Sequence, residues 1–286
     1  MTDVDRLLAL WILLSTSVAR FAGAEPSLAP TRISPARQDG NGFLVHAVQT
    51  DFQSGTTEVR VLLPDSLDAR RRHQCLYVLP VEAGNEDRYG DGLLEVKRLG
   101  LHNKHQLICV APTFSTLPWY ADHPSDPKIR QESYLLQVVV PLVDRTYPTG
   151  REAAGRWLVG FSKSGWGAFS LLLRHPDVFG TAAAWDAPFA VDQPIPFGMG
   201  PIFGSQENFE QYRITTLVKK NASLLGEKRR LIHLGYGNFR QHHESLEPLL
   251  VALHVPHVYR DGPKRAHVWG SGWLVDAVEA MVGEGK

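Results

Sequence analysis

The chain has 286 residues, of which 43% are hydrophobic and 21% are charged, a balance typical of a folded globular protein. Its 30 basic and 30 acidic side chains cancel, so the composition gives no sign of a nucleic-acid partner or of an anionic membrane surface as a partner. This length suffices for one large domain with a well-buried core, or at most for two small domains.

The N-terminal segment differs from the rest of the chain. Leu7–Val18 is an apolar run whose length is typical of a signal peptide and short for a membrane span. Ala22 and Ala24 supply the small residues of a cleavage site, although acidic residues precede the run where positive charge is usual. We predict a leader over residues 1–24 and a secreted or periplasmic location, with an uncleaved anchor or a misplaced start codon as the alternatives. No other segment is apolar enough to span a membrane.

Behind a proline-rich linker over residues 25–42, apolar runs alternate with helical patterns. The predicted strands are Phe43–Phe52, Glu58–Leu63, Cys75–Val81, Gln106–Ala111, Arg156–Gly160, Thr181–Trp185, Arg230–Leu234 and His257–Arg260. The predicted helices are Leu93–Leu101, Ile129–Tyr147, Gly165–Arg174, Ser245–Leu253 and Ser271–Val282. Gln193–Gln211 has no periodicity and is expected to form an inserted loop or a small cap.

This order of elements predicts the fold class. Short apolar strands separated by helices indicate a mostly parallel sheet that is covered by helices on both faces. The first two strands are joined by a short turn and are expected to pair antiparallel. We therefore predict a single α/β domain over residues 43–286.

The two cysteines are expected to be free thiols. Cys75 and Cys109 both lie within apolar runs, where a thiol packs as a small hydrophobic group. Export would permit a disulfide, but two residues inside strands of a parallel sheet rarely meet its geometry.

A glycine-rich turn at Gly160–Gly165 carries the strongest chemical signal. A phosphate-binding P-loop is excluded because Trp166 and Gly167 stand where lysine and serine or threonine are needed, and the dinucleotide pattern G-x-G-x-x-G is absent. A nucleophile elbow needs small residues two positions before and after the nucleophile, between a strand and a helix. Ser162 meets this requirement, whereas Ser164 would place a tryptophan at the second small position. The alternative is an ordinary strand-to-helix turn with a serine N-cap.

A serine nucleophile of this kind requires an acid and a histidine, in that order along the chain. His267 lies in a polar loop between the last predicted strand and the last predicted helix, from which an imidazole can reach Ser162. The other histidines are interpreted as surface or packing residues. The neighbouring residues His242, His243 and Glu244 do not suggest a metal site, because adjacent side chains on a helix point apart. We predict no metal and no cofactor.

Several further motifs surround the elbow in a fixed order. They are Tyr77-Val-Leu-Pro80, Val110-Ala-Pro112, Pro118-Trp-Tyr-Ala-Asp122, Arg130-Gln-Glu-Ser-Tyr134, Tyr147-Pro148, Arg174-His-Pro-Asp-Val-Phe179 and His267-Val-Trp269. In their order and spacing the chain resembles the esterase D, or putative esterase, branch of the α/β-hydrolases. That branch includes S-formylglutathione hydrolases, feruloyl and acetylxylan esterases, enterochelin esterases and mycolyltransferases. The resemblance covers most of the chain after residue 43 and implies an α/β-hydrolase fold.

The resemblance also implies roles in acyl transfer for individual residues. Ser162 corresponds to the nucleophile and His267 to the general base, and the backbone N–H of Lys163 corresponds to one donor of the oxyanion hole. The second donor is implied in the loop after the first of these motifs, at Val81 or Glu82. This loop departs from the usual His-Gly pattern of the family.

The triad acid is the point at which this sequence departs most from the family. The family expects an aspartate after the penultimate strand, where this chain has Asn238. Asp186 ends the strand that follows the elbow helix, and other α/β-hydrolases place the acid there. A carboxylate at the end of an apolar strand is unfavourable unless it is paired. We therefore predict Asp186 as the acid, with Asn238 and Glu244 as alternatives.

Together these features predict a secreted serine esterase that acts on a small-molecule or glycan ester. Trp119, Tyr120 and Trp166 are expected to bind substrate in an apolar or sugar-stacking cleft. An acyltransferase with the same triad and a non-catalytic binding protein of the same fold are the alternatives. Neither nucleic-acid binding nor stable membrane insertion after leader removal is expected.

Overall fold

The computed structural model describes residues 30–284, so the predicted leader over residues 1–24 lies outside the described residues. Within residues 30–284, no helix has both the length and the apolar character that a membrane crossing requires.

In the described part of the chain, ten strands form one sheet. They are β1 (Arg32–Ile33), β2 (Arg37–Gln38), β3 (Leu44–Gln49), β4 (Thr56–Leu62), β5 (Cys75–Val78), β6 (Ile108–Pro112), β7 (Arg156–Phe161), β8 (Thr181–Trp185), β9 (Leu231–Leu234) and β10 (His257–Arg260). The order across the sheet is β1-β3-β4-β6-β5-β7-β8-β9-β10, and β2 also pairs with β3. The six strands β6, β5, β7, β8, β9 and β10, in this order across the sheet, run parallel to one another. The pairs β1–β3, β2–β3, β3–β4 and β4–β6 are antiparallel. This confirms the predicted α/β class and the antiparallel pair at its front.

The first two strands lie within the predicted linker. Arg32 is in register with Gln49 and Arg37 with Val45, so both short strands pair with β3. Without them β3 would be an edge strand with unpaired backbone N–H and C=O groups. Proline and charge made this segment look like a linker, but its backbone completes the sheet.

The helices cover both faces of the sheet, as the sequence predicts. They are α1 (Gly92–Arg98), α2 (Leu101–Lys104), α3 (Gln131–Tyr134), α4 (Val140–Thr146), α5 (Ser162–Arg174), α6 (Met199–Phe203), α7 (Gln206–Glu210), α8 (Ile214–Asn221), α9 (Arg240–Ala252) and α10 (Trp273–Glu284). A π-helical turn at Leu135–Val139 joins α3 to α4 within the predicted helix Ile129–Tyr147, just before Pro141, which has no N–H to donate. The predicted loop or cap over Gln193–Gln211 contains α6 and α7.

Two apolar layers form the core, one on each side of the sheet. One layer contains Leu158 and Phe169 and lies under α4 and α5, while the other contains Val159 and Trp273 and lies under α1 and α10. Alternate residues of each strand therefore enter opposite layers. Cys75 and Cys109 are buried free thiols, as predicted. Since they belong to different layers, their side chains point away from each other across the sheet.

Candidate active site

The candidate nucleophile lies at the junction between β7 and α5. Ser162 is the first residue of α5 and has a φ of +52°, in the left-handed region that a non-glycine residue adopts only when its surroundings enforce it. The tight approach of strand and helix requires glycine at position 160, where a Cβ would lie 2.5 Å from the Ser164 carbonyl group. Ser162 is half-buried, whereas Ser164, the other serine of this turn, is buried. This is the predicted elbow geometry.

Ser164 has a structural part in the same turn. Its side chain is fully buried, accepts a hydrogen bond from the Phe161 N–H at 3.0 Å and donates one to the Phe161 carbonyl oxygen at 2.9 Å. The second serine of the motif therefore holds the end of β7, and its hydroxyl is not available to a substrate.

The structure brings Asp186 and His267 together. The Asp186 carboxylate follows β8, and its Oδ2 lies 2.5 Å from His267 Nδ1. Its other oxygen accepts a hydrogen bond from the Phe239 N–H at 2.5 Å, and its backbone carbonyl accepts from the Ser162 N–H at 3.1 Å. Asp186 has no exposed surface. Two donors therefore meet a fully buried carboxylate, one of them an imidazole, which fixes Nδ1 as the protonated nitrogen when the ring is neutral.

His267 lies beside the elbow. Its ring contacts Phe161, the residue before Ser162, edge-to-face with the ring centroids 5.0 Å apart, and it contacts Tyr89 in the same way at 5.5 Å. Within residues 30–284 the Ser162 hydroxyl makes no hydrogen bond to His267 or to another side chain. Such bonds are often long in a free enzyme and tighten when a substrate is bound.

Neither alternative acid takes part in this arrangement. Asn238 is exposed on the turn after β9, and Glu244 is exposed on α9, where its carboxylate pairs with Arg240 at 3.2 Å. Asp186 is thus the carboxylate that meets the His267 ring.

The predicted oxyanion donors lie on two neighbouring segments. Lys163 is in the first turn of α5, where a backbone N–H has no partner within the helix and the helix dipole favours negative charge. Val81 and Glu82 are buried in the loop after β5. The Lys163 ammonium lies 3.5 Å from a Glu82 carboxylate oxygen and so connects the two segments. Burial lowers the pKa of Lys163, and the Glu82 charge opposes that shift.

The three aromatic residues predicted to bind substrate are buried instead. Trp119 and Trp166 contact each other edge-to-face, 5.7 Å between centroids, and Trp166 packs against Phe203 of α6. Tyr120 has no exposed surface and donates its hydroxyl to the Pro80 carbonyl oxygen at 2.6 Å. Trp166 is covered by Phe203 of α6 and Phe209 of α7, whereas Tyr120 packs against Phe114. Trp119, Tyr120 and Trp166 therefore form no exposed aromatic cleft in this structure, and substrate binding by them stays a prediction.

Two supporting residues received no role from the sequence. The buried amide of Gln131 accepts the backbone N–H groups of Trp119 and Tyr120 at 2.9 and 2.8 Å, which holds Tyr120 at a φ of +57°. A Cβ on Gly237 would lie 2.0 Å from the Asp186 carboxyl carbon, so only glycine lets this turn approach the acid. Gln131 lies within the motif Arg130-Gln-Glu-Ser-Tyr134, whereas nothing in the neighbouring sequence marks Gly237.

All these groups meet at one edge of the sheet. Parallel strands present their carboxyl ends on the same side of the sheet. The candidate oxyanion loop follows β5, Ser162 follows β7 and Asp186 follows β8. Gly237 lies in the segment after β9 and His267 in the segment after β10. Open α/β sheets place their ligand sites at this edge. The arrangement can support nucleophilic attack by a serine through a histidine that a carboxylate orients.

The chain matches known proteins both in sequence and in fold. The model of the family described as "Putative esterase" matches residues 111–253, half of the chain. No curated protein sequence gives a significant match.

Solved structures match in fold at low sequence identity. The fluorophosphonate-binding serine hydrolase FphF of Staphylococcus aureus is 16% identical, covers 88% of this chain and 100% of its own, and has a TM-score of 0.66. An S-formylglutathione hydrolase from Agrobacterium tumefaciens is 13% identical, with 89% and 100% covered and a TM-score of 0.69. A ferulic acid esterase is 16% identical, with 88% and 96% covered and a TM-score of 0.65. At these identities the likeness establishes the fold.

Proposed function

This chain belongs to the "Putative esterase" family of α/β-hydrolases and is a carboxylesterase-type hydrolase, and we propose that Ser162, Asp186 and His267 form its catalytic triad. The observation that supports the proposal is the contact of 2.5 Å between the buried Asp186 carboxylate and His267 Nδ1, beside a serine held in an elbow. Burial of an unpaired carboxylate is unfavourable in free energy, so the hydrogen bond from His267 stabilises Asp186 in this position.

The proposed reaction follows from these positions. Ser162 Oγ attacks the carbonyl carbon of the ester while His267 Nε2 takes the hydroxyl proton. Asp186 keeps the ring oriented through Nδ1–H and stabilises the positive charge that develops on it. The Lys163 N–H and a backbone N–H of the loop at Val81 and Glu82 stabilise the negative oxygen. The alkoxide leaves with the proton from His267, and water then releases the acyl group by the same steps in reverse order.

The substrate is proposed to be a carboxylic ester of a small molecule or a glycan. The ferulic acid esterase and the S-formylglutathione hydrolase among the structural neighbours support an ester or thioester as the reacting group. Export remains a proposal that depends on the sequence of residues 1–24.

Replacement of the nucleophile tests the proposal. We expect the protein to hydrolyse a series of p-nitrophenyl esters and to be labelled by a fluorophosphonate, and Ser162→Ala to lose labelling and roughly 10,000-fold or more in kcat. Ser170→Ala changes a buried serine two turns further along the same helix and is the matched control, which should keep both properties. A wild-type protein without hydrolysis and without labelling at Ser162 would contradict the proposed triad.

A further inference from the structure

A second cluster of ionisable side chains, which the proposed reaction does not use, joins the last two strands to a helix. His233 of β9, His257 of β10 and Glu247 of α9 each point one ligand atom into the same space, and these atoms all lie within 4.8 Å of one another. Glu247 Oε2 is 3.2 Å from His233 Nε2 and 2.9 Å from His257 Nε2. One carboxylate oxygen is thus shared by two imidazoles from adjacent strands.

The tautomer of His257 determines whether its Nε2 can donate a hydrogen bond to Glu247. Its Nδ1 lies 2.6 Å from the Val255 carbonyl oxygen, and a carbonyl can only accept, so Nδ1 carries the proton. In the neutral ring Nε2 is then a bare lone pair that faces the Glu247 carboxylate oxygen. Two acceptors at hydrogen-bond distance repel each other unless a positive centre lies between them. A backbone carbonyl on one ring nitrogen is also the usual outer contact of a histidine that binds a metal through the other.

The remaining histidine adds a third ligand atom. His233 has no exposed surface, and within residues 30–284 its Nδ1 has no hydrogen-bond partner. In the absence of a metal ion its Nε2–H donates to Glu247, and a metal bound at Nε2 would shift the ring proton to Nδ1. The ring is held flat against Tyr259 at 4.6 Å and against His243 at 5.5 Å, so its direction is fixed by packing.

From this geometry we infer that His233, Glu247 and His257 form a site for a divalent transition-metal ion of the zinc type. Two histidines and one carboxylate are a known ligand set for Zn²⁺, with metal–ligand distances of about 2.0–2.2 Å. Tetrahedral coordination at such distances separates ligand atoms by about 3.3 Å. The two contacts of Glu247 measure 2.9 and 3.2 Å, and the ligand atoms of the two histidines lie no more than 4.8 Å apart. A fourth ligand would be water, because the Glu247 and His257 side chains retain part of their exposure.

The position of the site indicates a structural role. An ion held there fixes α9 to β9 and β10, the two outermost strands at this end of the sheet. The turn after β9 carries the Phe239 N–H that meets Asp186, and the chain after β10 continues to His267. Metal binding would therefore stabilise the fold and hold both segments that support the proposed triad.

Direct metal titration tests the inference. We expect the untagged full-length protein, stripped with a chelator, to bind one equivalent of Zn²⁺ by calorimetry and metal analysis and to melt at a higher temperature when loaded. Added Co²⁺ should give the visible absorption of a tetrahedral complex. Glu247→Gln and His257→Asn should each weaken Zn²⁺ binding by more than the roughly 10–100-fold that the loss of an outer partner costs.

An exposed histidine close by supplies the control. His254 lies in the turn before β10 with a φ of +54°, which asparagine tolerates, so His254→Asn should bind Zn²⁺ as the wild type does. Wild-type protein that binds no Zn²⁺ would overturn the inference and leave a plain imidazolium–carboxylate pair. Equal binding by the wild type and by both ligand variants would also overturn it, since the ion would then be held elsewhere. The Co²⁺ spectrum of the wild type decides the matter even where a variant does not fold.

Discussion

A carboxylate without exposed surface needs a donor for each oxygen, and Asp186 has one for each. Phe239 supplies a backbone N–H to one oxygen and His267 supplies its ring N–H to the other. Asp186 also has a positive φ of +46°. Such a conformation costs about 1–3 kcal/mol in a non-glycine residue, and it is retained where the surrounding contacts determine it.

The role of this carboxylate is tested by the neutral, isosteric variant. Asp186→Asn keeps the shape of the side chain but can favour the wrong tautomer of His267, so kcat should fall by about 10,000-fold while the fold persists. Steady-state kinetics with a p-nitrophenyl ester give the measurement. Asp192→Asn, at an exposed carboxylate six residues further on, should leave kcat unchanged. An Asp186→Asn protein with kcat near that of the wild type would show that another group orients the histidine.

At the scale of elements, the elbow helix and the loop after β5 are joined through a single tyrosine. Tyr120 packs against α5 at Gly167, where a Cβ would lie 2.1 Å from the tyrosine ring, and its hydroxyl reaches the Pro80 carbonyl. Gln131 holds its backbone from the other side. The distance between Ser162 and the candidate oxyanion loop thus depends on a residue without exposed surface.

Removing one hydroxyl tests this positioning role. Tyr120→Phe leaves the Pro80 carbonyl without its donor, which should cost about 1–3 kcal/mol of unfolding free energy. If the oxyanion loop moves, kcat should fall by about 10- to 100-fold with little change in KM. Tyr134→Phe is the matched control, because Tyr134 is equally buried and its hydroxyl pairs with Thr57 at 2.8 Å. A similar loss of kcat in both variants would mean that general destabilisation, and not positioning, is responsible.

The sequence predicted those elements whose signal is local. The strands that carry the site, β5, β7 and β8, are short buried runs with clear ends, and the elbow is a spacing pattern within one turn. The burial of Trp119 was not predictable, because it depends on how a segment without periodicity folds over a distant loop. Gly237 and the His233–Glu247–His257 cluster arise from contacts between separate elements, for which single positions carry no pattern.

At the scale of the molecule, a buried ionic network ties α3 to the end of the elbow helix. The Glu132 carboxylate accepts hydrogen bonds from Arg174 at 2.8 and 3.0 Å, from His175 at 2.5 Å and from the Tyr212 hydroxyl at 2.8 Å. Arg174 also stacks on the Tyr212 ring at 4.1 Å. These contacts connect the C-terminal end of α5, the helix that begins at Ser162, to the segment that leads into α8.

This network makes stability depend on pH in a direction that can be measured. Burial acts to raise the pKa of Glu132, but the hydrogen bonds of His175 and Arg174 outweigh it and lower the pKa to about 2. A carboxyl whose pKa is lower in the folded state stabilises the protein above its unfolded value near 4.5 and loses that contribution as the pH falls toward 2. The shift corresponds to about 3 kcal/mol at pH 7.

In urea unfolding, Glu132→Gln should be less stable by up to this amount at pH 7, and the difference from the wild type should shrink below pH 4.5. Glu207→Gln, at an exposed carboxylate, should follow the wild type throughout. A gap between Glu132→Gln and the wild type that stays constant down to pH 2 would show that the glutamate acts through packing and not through its charge.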